Sequence, residues 1–229
     1  MKYIDPTGHM ICDSDGECHV RYTLEGVLDT YGVELLEESA KWSSSERIAV
    51  LDAVVAVAIR MGVTTKTSSV GAFRYEYGTN SENPLQFVKV SSYKYRGLVF
   101  DAGCLASNSH LIQVAKLSQA TTNRPDSLAM NLNINNFVHE LGHAFVQHWW
   151  GNKPDTKSPY SKIKGKLLSE AGWPTIIPGA ENLWRQGEGT SGNEIFADMF
   201  LGWTFNVWGG EDLHRNDFMI SNMAGWLTH

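Results

Sequence analysis

The segment NFVHELGHAFVQHWWG, residues 136–151, carries the most informative pattern in the chain. Its apolar residues recur at helical intervals, which predicts an amphipathic helix over residues 134–150. Gly151 follows, and glycine readily adopts the left-handed conformation that ends a helix. The apolar stripe of this helix consists of Ile134, Val138, Leu141, Phe145 and Trp149.

Two histidines lie beside that stripe, one helical turn apart. His139 and His143 are separated by four residues, so their side chains project about 40° from each other. Imidazole nitrogens suit zinc, and a catalytic zinc keeps three protein ligands, of which this helix supplies two. Glu140 is placed to act as general base toward water at the metal. The alternative is a core helix with hydrogen-bonded histidines, but the H-E-x-x-H order favours the metal site.

Two further residues of this helix bear on the site. Gly142 is costly inside a helix, so its position indicates close approach by a strand or a substrate. His148 lies five residues beyond His143 and points about 140° away from it, so it is not expected to be the third ligand.

The third ligand is expected in SGNEIFADMFLGW, residues 191–203, within a second helix over residues 193–208. Glu194 and Asp198 are four residues apart and share one face of that helix. We predict that Glu194 binds the metal and that Asp198 accepts the outer N–H of a liganding histidine. Ser191 and Glu194 also have capping-box spacing, so Glu194 could instead cap its own helix.

At these residues the chain resembles the gluzincins, the zinc metallopeptidases typified by thermolysin. Their H-E-x-x-H reads HELGH at residues 139–143, and their N-E-x-x-x-D reads NEIFAD at residues 193–198. The longer metzincin pattern is excluded, because Val146 and Trp149 stand where it requires glycine and histidine. The 50 residues between His143 and Glu194 exceed the usual thermolysin spacing, so the cleft elements between them are not carried over.

The gluzincin resemblance also implies a side chain that stabilises the tetrahedral oxyanion. Tyr160, His214 and Arg215 are the candidates, and none stands at a matching position.

A second resemblance lies at the N-terminus. KYIDPTGHM, residues 2–10, is similar to the Y-x-D-P-x-G that closes Rhs-repeat-associated cores, after which polymorphic toxins carry an effector domain. The resemblance implies that residues 1–20 are a core-boundary remnant or appendage and that residues 21–229 form the metallopeptidase domain. It further implies a secreted or delivered polyprotein and an immunity protein as partner. The alternative is a plain Asp-Pro-Thr-Gly turn.

Bulk composition limits the remaining function classes. The chain has 229 residues, 42% of them hydrophobic, which is enough for one globular core. A net charge of −6 argues against nucleic-acid binding. No window of about 18 uncharged apolar residues exists, so we expect no membrane span. Cys12, Cys18 and Cys104 form no disulfide framework, although Cys12 and Cys18 could bridge.

The expected fold is α+β and, by the resemblance, zincin-like. A small, mostly antiparallel sheet is expected over residues 71–116, in the runs AFRYEYG, LQFVKVSSYKY, GLVFDAG and HLIQVAK. It should pack on the H-E-x-x-H helix and on a helix that Ser43 and Glu46 cap, that is buried on most sides and that ends at Gly62. HLIQVAK is expected to be the edge strand that borders the cleft, where it would pair with an extended peptide.

The predicted function is zinc-dependent hydrolysis of peptide bonds in a protein or peptide substrate. The alternative is a catalytically inactive, metal-stabilised binding module. Hydrolysis of a non-peptide amide would use the same residues. The sequence leaves the substrate and the cleavage specificity open.

Overall fold

In the computed structural model, the residues described are 11–12, 18–19, 23–117, 132–151, 159, 192–206 and 213–228. Over these parts the chain is a mixed α+β protein with six helices and a small sheet. The Y-x-D-P-x-G segment, residues 3–8, and the candidate Tyr160 lie outside the described residues. Of residues 1–20, only the pairing of Ile11–Cys12 with Cys18–His19 is described.

Along the chain, most of the strands lie between two groups of helices. The helices are α1 (Leu24–Thr30), α2 (Ser44–Thr65), α3 (Ser69–Tyr77), α4 (Leu132–Trp150), α5 (Gly192–Phe205) and α6 (Leu213–Trp226). The strands are β1 (Ile11–Cys12), β2 (Cys18–His19), β3 (Val33–Glu37), β4 (Leu85–Lys89), β5 (Tyr93–Tyr95), β6 (Leu98–Phe100), β7 (Cys104–Asn108) and β8 (Leu111–Val114).

The main sheet has four strands in the order β3-β4-β8-β7. β4 pairs in parallel with both β3 and β8, and only β7 and β8 pair in antiparallel fashion. The prediction of a mostly antiparallel sheet is therefore wrong for the main sheet, although β1–β2 and β5–β6 are antiparallel. β3 also precedes the predicted range, and α2 and α3 form the crossover that a parallel pairing with β4 requires.

The run AFRYEYG forms helix α3, so its prediction as a strand is wrong. The Ser68 hydroxyl accepts a hydrogen bond from the Gly71 N–H, and Gly78 ends the helix with φ 61°. The aromatic residues suggested a strand by propensity, but Phe73 and Tyr77 lie four apart and are both fully buried. Burial on one helical face outweighs the intrinsic preference.

The capping box at the start of α2 is confirmed. The Ser43 hydroxyl accepts from the Glu46 N–H at 3.2 Å, and the Glu46 carboxylate accepts from the Ser43 N–H at 2.9 Å. The helix continues past Gly62 to Thr65, so the predicted end at Gly62 is wrong. A Cβ on Gly62 would lie 3.0 Å from the Ser69 backbone, so this glycine serves the close packing of α3 on α2.

Helix α2 is buried on one side rather than on most sides. Val50, Val54 and Val57 are fully buried, whereas Ile48 and Ile59 are 47% and 50% exposed. By length and composition alone, α2 is apolar enough to cross a membrane, and half of that window is buried inside the protein. Core helices pass the same test, so the observation is weak support for a membrane span.

A buried carboxyl group gives the fold a testable pH dependence. Glu76 is 1% exposed, and its carboxylate lies 3.1 Å from the Trp149 indole nitrogen. Burial raises the pKa of Glu76 to about 8, against the lowering effect of the Trp149 hydrogen bond. Protonated Glu76 therefore stabilises the folded protein fully at a pH below 4.5, the ordinary pKa of a glutamate. This stabilisation is lost as the pH rises through about 8, the pKa of Glu76 in the folded protein.

Replacing Glu76 by glutamine should remove this dependence, because the amide stays neutral. From pH 5 to pH 8, the free energy of unfolding of Glu76→Gln should rise relative to that of the wild type by at least ~1 kcal/mol. Chemical denaturation across that pH range measures the difference, with Glu82→Gln as an exposed control. A difference that does not change with pH would contradict the prediction.

Candidate metal centre

Close packing of α4 on α5 creates the site. A Cβ on Gly142 would lie 3.1 Å from the Phe200 Cβ and 3.2 Å from the Ala197 Cα. The neighbour that approaches Gly142 is thus a helix, not the expected strand or substrate. This approach sets the histidine face of α4 against the carboxylate face of α5.

Three potential metal-ligand atoms from these helices lie close together. His139 Nε2 lies 3.2 Å from both His143 Nε2 and Glu194 Oε2, and His143 Nε2 lies 3.5 Å from Glu194 Oε2. Ligands at about 2.0–2.1 Å from a tetrahedral zinc lie about 3.3–3.4 Å from one another, so the spacing fits such an ion. The three residues form a candidate metal-binding triad.

Asp198 lies behind the triad. It is 1% exposed, and its Oδ1 is 2.9 Å from His139 Nδ1. A carboxylate there holds the proton on Nδ1 and leaves the Nε2 lone pair directed at the other donors. Ser191, the partner of Glu194 in the alternative capping box, lies outside the described residues. Glu194 Oε2 contacts both histidines.

The electrostatics of the cluster favour a positive charge at its centre. Burial lowers the pKa of His139, but hydrogen bonds with Asp198 and Glu194 outweigh it and raise the pKa to about 10. Hydrogen bonds from His139 and His143 hold the pKa of Glu194 well below its usual range, against desolvation. A proton or a metal cation can supply the charge that these groups stabilise.

Glu140 faces the sheet rather than α5. Its Oε2 accepts a hydrogen bond from the Ala106 N–H of β7 at 2.6 Å, and the side chain is 8% exposed. The backbone of β7 thereby fixes the carboxylate that the sequence suggested as general base. Glu140 borders the same cleft as His143 and Glu194.

That cleft has a volume of about 540 Å³ and is bounded by α4, α5, β7 and the β5–β6 hairpin. Among the described strands, β7 is the edge strand at the cleft, because β8 is paired on both sides, with β4 and β7. The prediction of HLIQVAK as the edge strand is therefore wrong. In the β7–β8 hairpin the second strand, β8, lies in the middle of the sheet, so the last described strand before α4 is not the outermost.

The outward backbone groups of β7 already have side-chain partners. The Tyr93 hydroxyl lies 3.3 Å from the Cys104 carbonyl oxygen, and the Gln147 amide lies 3.5 Å from the Ala106 carbonyl oxygen. Glu140 accepts from the Ala106 N–H. An extended peptide that pairs with β7 would exchange some of these contacts for its own.

Of the three candidates for oxyanion stabilisation, Arg215 alone has a described side chain. Tyr160 lies outside the described residues. The backbone of His214 belongs to α6, and its side chain is not among the described ones. Arg215 is 3% exposed on α6 and is not among the described residues that border the cleft. His148 packs with its ring against Gly78, away from the triad, as its spacing predicts.

Sequence reasoning missed the cleft hairpin and Tyr93. YKY and GLVF belong to two of the predicted strand runs, LQFVKVSSYKY and GLVFDAG, and Arg96-Gly97 between them is a turn signal that indicates a hairpin. Gln147 carried no signal that could have identified it.

No family model, curated protein or solved structure matches the chain. The fold and the site define an α+β protein with a candidate metal-binding triad of two histidines and one glutamate.

Proposed function

We propose that the protein is a zinc-dependent metallopeptidase of the gluzincin type, with a zincin-like arrangement of its active-site helix. The observation that carries the proposal is the triad of His139, His143 and Glu194, with donor atoms 3.2–3.5 Å apart in a cleft that Glu140 also borders. Two imidazoles and one carboxylate are the ligand set of the thermolysin class of catalytic zinc sites.

Zinc held by the triad would act as a Lewis acid toward the scissile carbonyl and would lower the pKa of water to about 7. Glu140 then serves as general base: its carboxylate takes the proton of the attacking water and delivers it to the departing amine. The Ala106 N–H holds the carboxylate in place during both transfers. Asp198 keeps His139 in the tautomer that presents Nε2.

A binding module that has lost catalysis is the alternative, and it would use the same metal ligands. Identification of new N-termini in a proteome incubated with zinc-loaded protein distinguishes the two functions. The peptidase produces N-termini that are absent with Glu140→Gln. A zinc-loaded protein that produces none would favour the module, and cleavage confined to small amides would favour the non-peptide hydrolase.

We propose further that this peptidase is the effector domain of a secreted Rhs-type toxin, delivered into a target cell and blocked in its producer by an immunity protein. KYIDPTGHM, residues 2–10, supports this origin.

Expression in a bacterial cytoplasm should therefore slow growth, because an active peptidase degrades host proteins. The Glu140→Gln variant, produced at the same level, should allow normal growth. Growth curves after induction measure the effect. Equal growth of the two strains would contradict the toxin proposal and leave the peptidase proposal intact.

A further inference from the structure

The β5–β6 hairpin, residues 93–100, presents one apolar face. Its register pairs Tyr93 with Phe100 and Tyr95 with Leu98, so these four side chains share a face. The Tyr93 and Phe100 rings stack with centroids 5.6 Å apart. We refer to these four side chains as the aromatic face.

The aromatic face is open and borders the cleft. Tyr95 is 41% exposed, Leu98 64% and Phe100 36%. Tyr93, Tyr95 and Phe100 line the same cleft as Glu140 and Glu194. Contiguous apolar side chains beside polar groups are typical of a binding surface.

The hairpin is fixed relative to the catalytic groups. The Tyr93 hydroxyl lies 3.2 Å from the Ala102 carbonyl oxygen and 3.3 Å from the Cys104 carbonyl oxygen. Ala106, two residues beyond Cys104 on β7, holds Glu140. One strand therefore connects the aromatic face to the proposed general base.

A cation accompanies the aromatic face. Arg96 is exposed and lines the cleft, and its guanidinium lies 5.0 Å from the centre of the Tyr95 ring. Lys94 is also exposed and lines the cleft, but it pairs with Val99 in the hairpin register and so belongs to the opposite face. Neither takes part in an ion pair within the described part of the chain. In a protein of net charge −6, a cationic cleft wall is complementary to a carboxylate on the ligand.

Contacts with the side chains of a peptide must contribute more of its binding free energy in this cleft than in a site whose edge strand has unpaired backbone groups. The outward groups of β7 at Cys104 and Ala106 are engaged by Tyr93, Glu140 and Gln147. Main-chain pairing with β7 would therefore yield less net stabilisation, because each new hydrogen bond replaces an existing one.

We propose that the hairpin selects the substrate: it binds an extended peptide segment in which a large apolar side chain packs on the aromatic face and a neighbouring acidic side chain lies at Arg96. This proposal rests on the proposed peptidase function, because it names the substrate class of the same cleft. It concerns binding, so it can be tested without hydrolysis.

The test uses zinc-loaded Glu140→Gln protein and three dye-labelled octapeptides, identical except for a central Phe-Glu, Ala-Glu or Phe-Lys pair. Fluorescence anisotropy gives the dissociation constants. Phe-Glu should bind about 5- to 10-fold more tightly than Ala-Glu, from the ring contact. It should bind about 2- to 5-fold more tightly than Phe-Lys at low salt, and this second preference should weaken in about 0.5 M salt.

Variants then assign each preference to the hairpin. Tyr95→Ser combined with Leu98→Ser should abolish the preference for Phe, and Arg96→Glu should abolish or reverse the preference for Glu. Ile48→Ser combined with Ile59→Ser removes equally exposed apolar side chains from α2 and should change neither. Circular dichroism and zinc content confirm that each variant is folded and loaded.

Equal binding of the three peptides, or unchanged preferences in the hairpin variants, would overturn the proposal, as would failure of all three to bind. A failure of the peptidase proposal would give a different experimental result. If the Phe-Glu peptide binds as expected but the wild type cleaves nothing, the peptidase proposal fails and the hairpin remains a peptide-binding surface. If the three peptides bind equally and the wild type cleaves all of them, only the hairpin proposal fails.

Discussion

Replacement of Glu194 by alanine should release zinc under conditions in which the wild-type protein retains it. Glu194 Oε2 is the only carboxylate oxygen in the described triad, at 3.2 Å from His139 Nε2 and 3.5 Å from His143 Nε2. Its removal leaves two neutral ligands for a divalent cation. We therefore expect the zinc affinity to fall by more than the ~10- to 100-fold typical of a change in a residue that only orients a ligand.

Asp198→Ala is the matched control on the same helix. Asp198 contacts His139 through Nδ1 and is not one of the three triad donors. Its loss should weaken zinc binding by ~10- to 100-fold, less than the loss of Glu194. Metal analysis after dialysis against a weak chelator should order the proteins as wild type, Asp198→Ala and Glu194→Ala. Full zinc content in Glu194→Ala would show that the third ligand is another residue.

Glu140→Gln should have the opposite profile, with zinc retained and activity lost. The amide oxygen of glutamine can still accept the hydrogen bond from the Ala106 N–H, so the side chain should keep its place. It has no carboxylate to accept a proton from water. The rate of peptide hydrolysis should fall by at least ~10²-fold, the lower end of what a general base contributes.

Zinc content and the rate of hydrolysis, measured on the same sample, separate the two roles. Glu82→Gln, an exposed carboxylate away from the cleft lining, should match the wild type in both. Wild-type activity in Glu140→Gln would remove Glu140 from the mechanism. Loss of zinc in Glu140→Gln would make Glu140 a determinant of the metal site instead.

The triad could be predicted because each half of it depends on local spacing. His139 and His143 share a helix face by their four-residue separation, and so do Glu194 and Asp198. The contact between these two helix faces depends on tertiary packing. In the sequence, only the resemblance and Gly142 indicate it. The glycine indicated a close neighbour, and the structure identifies that neighbour as α5.

The sheet could not be predicted to the same degree, because strand order depends on long-range pairing. β7 and β8 are adjacent in sequence, yet only β7 borders the cleft, since β8 inserts beside β4. β3 was missed because five residues with partial burial give a weak periodic signal. Helix α3 was predicted as a strand because its aromatic residues favour strands, whereas burial of Phe73 and Tyr77 decides the helix.

We propose that His139, His143 and Glu194 bind one zinc ion, and anomalous diffraction at the zinc absorption edge locates that ion. Crystals of the zinc-loaded protein should show one strong peak at about 2.0–2.2 Å from His139 Nε2, His143 Nε2 and a Glu194 carboxylate oxygen. Asp198 should remain on His139 Nδ1, outside the coordination sphere. A peak bound by other residues, or no peak between α4 and α5 in protein that contains stoichiometric zinc, would show that these three residues do not bind the ion.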